Sequence, residues 1–107
     1  MTQISISEWG NGAFVRMNGH ADTQPYGKDL VCAALSAYVY FLAEILEVLE
    51  KENKVWCPIK VIEPGNVHLL VLPNKEGKDT VDTVLNAVKR GLKKLSRDYP
   101  TAIMFDE

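Results

Sequence analysis

Residues 30–49, LVCAALSAYVYFLAEILEVL, carry the reading on which the fold of this 107-residue chain turns. Val31, Leu35, Tyr38, Leu42, Ile45 and Leu49 recur at steps of four and three, the spacing that brings side chains onto one face of an α-helix. Ala34, Ala37 and Phe41 widen that stripe, which predicts that the first four turns are buried on more than one side. Asp29 stands just before the helix, where its carboxylate is placed to accept hydrogen bonds from the free N–H groups of the first turn.

Outward from this helix the period falls to two. Upstream, Ile4, Ile6 and Glu8 alternate over residues 2–9, Gly10-Asn11-Gly12 is a turn signal, and residues 13–18 return as a second strand. A polar loop, Ala21 to Lys28, joins this hairpin to the helix and contains Pro25 and Gly27. Downstream, Val55, Cys57, Ile59 and Val61 alternate on one face of a strand ending at Glu63. Pro58 removes a ladder donor from it, so the strand is expected at a sheet edge or bulged. Pro64-Gly65-Asn66 turns the chain into a nearly all-apolar strand, Val67 to Leu72. A second helix starts at Asp79 or Thr80, with Val81, Val84, Leu85, Val88, Leu92 and Leu95 inward, and ends before Tyr99-Pro100. Ala102 to Phe105 reads as a short last strand. The order ββαββαβ predicts a single α+β domain over residues 1–107: a mostly antiparallel sheet with two helices packed on it.

Composition narrows the function classes. Hydrophobic residues at 47% and charged residues at 24% are those of a folded chain with one core. Twelve basic against fourteen acidic residues, a net charge of −2, argue against strong direct nucleic-acid binding. Lys89, Arg90, Lys93, Lys94 and Arg97 read as a solvated helix face that complements the helix dipole. Two cysteines supply neither a disulfide framework nor a four-ligand metal site, and no metal or cofactor is expected. The longest uncharged run, Leu30 to Ala43, spans 14 residues, short of the roughly 20 of a membrane span. The opening Met1-Thr2-Gln3 lacks the basic-then-apolar pattern of a secretory signal. The expectation is a cytoplasmic protein with reduced thiols, away from membranes.

Two residues stand out chemically. With Asp29 as cap, Cys32 falls in the first turn of the long helix, where unpaired amides and the positive end of the dipole favour a thiolate. The same amides are suited to an oxyanion forming on a carbonyl under attack. His20 stands at the end of the second strand, one short loop away, where an imidazole can take the thiol proton and deliver it to a leaving amine. Spacing alone also accommodates a packed cysteine and a surface histidine. Asp29 is placed either to orient His20 or only to cap the helix, and Ser36 either to bond near the site or back to a helix carbonyl. Gly19 and Gly27 allow close approach of a peptide backbone, or serve ordinary turns. Cys57 and His68 read as structural residues of their strands.

The run Gly19-His20-Ala21, followed by Gly27, Asp29, Val31-Cys32-Ala33-Ala34 and Ser36, closely resembles the signature of the ribosomal-processing cysteine protease family, Prp. The resemblance extends along the whole chain, through Gly91-Leu92 and Tyr99-Pro100. Members of that bacterial family remove a short N-terminal extension from a large-subunit ribosomal protein. The resemblance implies Cys32 as nucleophile and His20 as general base, with that extension as partner substrate. The chain departs from the family at Asp22, where members often carry a small residue, commonly Gly. A homodimer is expected on two grounds, the family likeness and the apolar breadth of residues 30–49. The competing class is a non-catalytic ribosome-associated or dimerisation module in which Cys32 is only packed.

Overall fold

The computed structural model describes residues 1–20 and 30–106. The loop Ala21–Lys28, with Asp22 and Gly27, and the capping position Asp29 lie outside the described residues. Along the chain run β1 (Thr2–Trp9), β2 (Gly12–Gly19), α1 (Leu30–Lys51), β3 (Val55–Glu63), β4 (Asn66–Pro73), α2 (Lys78–Asp98) and β5 (Ile103–Asp106). The ββαββαβ order and the α+β class are those expected from the hydrophobic periods. The five strands form one sheet in the order β3-β4-β2-β1-β5. Every neighbouring pair is antiparallel except β1 and β5, which run parallel with Thr2 opposite Ile103.

Both helices pack on one face of this sheet, and a single core fills the space between. From the sheet come Ile4, Val15, Leu69 and Val71; from the helices, Leu42, Leu46, Leu85 and Leu92. Gly91 of α2 sets the approach of the helices, since a β-carbon there would overlap the ring and hydroxyl of Tyr38. Lys89 of α2 reaches Glu8 of β1 at 2.5 Å, Lys94 pairs with Asp98, and Lys93 lies over the Phe105 ring. Three residues of the basic run of α2, Lys89, Lys93 and Lys94, thus have partners within the chain. That helix begins at Lys78, ahead of the expected start, because Asn74 Oδ1 accepts the Gly77 N–H and turns the chain early.

Three expectations are corrected. The register of β3 against β4 shifts between Trp56 and Ile59, around Pro58. Val55 and Cys57 therefore face the core, whereas Ile59 and Val61 are carried to the helix-free face, because a bulge reverses the alternation beyond it. Within α1 the buried stripe is Val31, Leu35, Val39, Leu42, Leu46 and Leu49, with Tyr38 and Ile45 half-buried at its flank. The first turns are not buried on more than one side: Leu30 is 81% exposed, Tyr40 65% and Phe41 54%. The sheet offers one covered face and α2 lies alongside, so among the described residues nothing covers the outer side of α1. By length and composition alone α1 is long and apolar enough to cross a membrane; in this fold its buried stripe lies on the sheet.

Leu42 is 2% exposed, in the middle of that stripe. Leu42→Ala is expected to lower the unfolding free energy by about 2–5 kcal/mol through lost burial and the cavity left behind, measured by urea denaturation.

Candidate active site

At the edge of the sheet formed by its strand ends, the central strand β2 stops beside the turn that joins β3 to β4. Asn18 pairs with Asn66, and one residue further the Gly19 N–H donates to the Gly65 carbonyl at 2.9 Å. The first turns of α1 come to the same edge. These three pieces enclose an open cavity of about 240 Å³. His20 and Cys32 both line it, His20 from the end of β2 and Cys32 from the third residue of α1. The two candidate residues picked from the sequence are brought to one concave surface.

The walls divide by polarity. Met17, Leu35, Val39, Ile62 and Val67 make an apolar floor that belongs to the core, and Thr2, Ser36, Glu63 and Asn66 add polar groups. His20 is exposed, whereas Cys32 is half-buried and packs against the core. Cys32 sits within the first turn of a 22-residue helix, where backbone amides have no partner inside the helix and the macrodipole is positive. Such a position is suited to receive charge that develops on a bound carbonyl oxygen.

Gly19 and Ser36 are both part of the lining. Gly19 adopts φ +94°, and a β-carbon there would collide with the Met1 carbonyl oxygen, so the chain can turn toward His20 only without a side chain at this position. Gly27 and Asp29 lie outside the described residues. Sequence reading missed Gly65 and its turn as part of the site. Its signal was the Pro64-Gly65 pair, which marked a turn but not what the turn would touch.

The other cysteine and histidine stand elsewhere. Cys57 is buried in the core, and burial, followed by the negative charge of Glu50, pushes its thiol up from the ordinary 9.0 to about 11. His68 lies on β4 against the Phe14 ring and is not part of the cavity. Among the described residues, no three His, Cys, Asp or Glu side chains are grouped as a metal ion requires.

A cysteine and a histidine thus line one open cavity, and the family comparison points to a thiol protease: the model of cysteine protease Prp matches residues 1–104. This chain belongs to the Prp cysteine protease family. Solved structures share its fold. Prp from S. aureus, an essential ribosomal processing protease with a covalently linked product peptide, superposes with a TM-score of 0.74 at 23% identity, covering 99% of this chain and 98% of that one. The same protease with a substrate peptide gives 0.69 at 22% identity, with the same coverage. SMU.848 from Streptococcus mutans gives 0.68 at 22% identity, over 99% of this chain and 92% of its own. No curated protein matches the chain significantly.

The two thiols of this Prp family member are expected to react very differently. At pH 8 a thiol with a pKa of about 11 is ~0.1% ionised, against ~10% at the ordinary 9.0. Iodoacetamide at pH 8, followed by peptide mass spectrometry, should label Cys32 well before Cys57, whose thiol is buried as well as raised to about 11.

Proposed function

We propose that the chain is a cysteine endopeptidase that removes the N-terminal extension of a large-subunit ribosomal protein, with Cys32 as nucleophile and His20 as general base and acid. The observation that carries this reading is the placement of His20 and Cys32 on one open cavity in a chain of the Prp protease family. The substrate assignment is supported by the two S. aureus neighbours, ribosomal processing proteases that hold a product and a substrate peptide. Work on a ribosomal protein goes with a cytoplasmic location.

The chemistry follows from the positions. His20 takes the Cys32 proton, and the thiolate attacks the scissile carbonyl carbon to form the C–S bond. Charge moves to the carbonyl oxygen, where the first-turn amides of α1 are placed to receive it. As the intermediate collapses the C–N bond breaks, and the imidazolium of His20 delivers its proton to the leaving amine. Water then enters; His20 removes its proton as it attacks the thioester, the C–S bond breaks, and the carboxylate product leaves with the thiolate restored.

The reading extends to assembly. The outer side of α1 exposes Leu30, Tyr40, Phe41 and Val48, an apolar stripe of the kind that a partner covers. A second copy of the chain, packed on this stripe as a homodimer, would lie next to the site, since Tyr40 also lines the cavity.

Cleavage of a peptide spanning the extension junction should be abolished by Cys32→Ala, a loss above ~10³-fold in kcat, with the circular dichroism spectrum retained. His20→Ala should come close to it. Cleavage by Cys32→Ala near the parent rate would defeat the reading, and a folded parent protein that leaves the peptide intact would favour a non-catalytic module. Light scattering should report about 24 kDa, twice the 12.0 kDa chain, and Phe41→Glu should return 12.0 kDa particles with the fold intact.

A further inference from the structure

An exposed imidazole at a strand end ordinarily samples several rotamers. A general base, by contrast, has to present one nitrogen within hydrogen-bond reach of its proton. Something outside the core must therefore hold the His20 ring. Among the described residues, Gly65 offers a seat for it. A β-carbon built on Gly65 would lie 2.6 Å from His20 Nε2, 3.0 Å from Cε1 and 3.3 Å from Cδ2. The Nε2 end of the ring thus rests against the bare α-carbon of Gly65, in space that any other residue would fill.

We propose that Gly65, at the tip of the β3–β4 turn, is a positioning residue for the His20 imidazole. The inference rests on the reading of His20 as proton carrier and goes beyond it by naming what holds the ring. Two further features tie the turn to this task. Gly65 adopts φ +73°, a conformation that side chains other than Asn and Asp rarely accept, so glycine suits both the backbone and the contact. The Gly65 carbonyl also accepts the Gly19 N–H at 2.9 Å. One residue thereby holds the backbone just before His20 and the ring of His20 itself. The same turn lines the cavity with Cys32, so it fixes the imidazole relative to the cleft and not merely to the sheet.

The chain contains two histidines, which makes their ring signals easy to follow by heteronuclear NMR. In the unaltered protein, nuclear Overhauser contacts are expected between the Gly65 α-protons and the His20 ring protons. Gly65→Asn keeps tolerance of positive φ but adds a β-carbon. It should move the His20 ring signals, leave those of His68 in place, and lower kcat by ~10–100-fold with KM within about twofold. It should also displace the acid limb of the pH–rate profile. Gly10→Asn is the control, since a β-carbon at Gly10 meets nothing within 4 Å; it should change neither the signals nor kcat. Absence of the Gly65–His20 contacts in the unaltered protein overturns the proposal even if Gly65→Asn fails to fold. His20 signals that stay fixed in Gly65→Asn, or that move without loss of kcat, overturn it as well. The NMR measurements involve no proteolysis: a protein that cleaves nothing defeats the protease reading alone, and an active protein without the contact defeats this inference alone.

Discussion

The antiparallel pairing of β2 with β4 is the interaction on which the rest of the molecule depends. It joins two separate hairpins into one sheet, and its register sets Asn18 opposite Asn66. The end of β2 is thereby pinned beside the turn between β3 and β4. The chain must then travel from the end of β2, past β4, to β3, which begins at the opposite edge with Val55 across from Pro73. A helix of 22 residues is about 33 Å long and runs the length of the sheet. Its N-terminus is therefore left at the edge where β2 stopped. The meeting of a histidine from a strand end, a cysteine from a helix start and a glycine from a distant turn is a product of that single pairing.

Local periods made most of the elements legible. The four-and-three spacing of α1 and α2, and the alternation of the strands, arise from how each element presents one side to the core, and they survive in the residue order. The bulge at Pro58 was half visible: proline announced a break in the ladder, but which way the later side chains would face depended on the partner strand. The order of strands rests on pairings between residues far apart, about which local periodicity is silent. The placement of Cys32 and His20 on one cavity was readable because a helix start and a strand end twelve positions apart belong to neighbouring sequence. Gly65 was not, since its approach to His20 comes from a register 45 positions downstream that only the assembled sheet creates.

Adjacent residues of α1 serve different ends. Leu42 is 2% exposed and Phe41 54%, although both are large and apolar, because successive residues on a helix point about 100° apart. Side chains alone therefore overestimated how deeply the helix is embedded. What reads as breadth of core in the sequence is, in the structure, a stripe that anchors the helix and a second stripe that faces outward. Between them, at the first turn, the helix presents the amides and the sulfur of the site. On the proposed reading, stability, chemistry and association fall to different sides of one element, so each can be altered with limited effect on the others.

The parallel pairing of β1 with β5 has a consequence for synthesis. Thr2 lies opposite Ile103, and the Thr2 N–H donates to the Ala102 carbonyl at 2.8 Å. Partners so far apart in the chain give this edge a high contact order, and closing such a loop is slow relative to forming a hairpin or a helix. During translation the outer edge of β1 stays open until β5 has emerged, after every other strand and both helices are available. For that interval the nascent chain carries a bare strand edge, the feature most prone to pairing with a wrong neighbour. The four-residue strand β5 accordingly acts as the seal on a sheet whose other strands precede it in the chain.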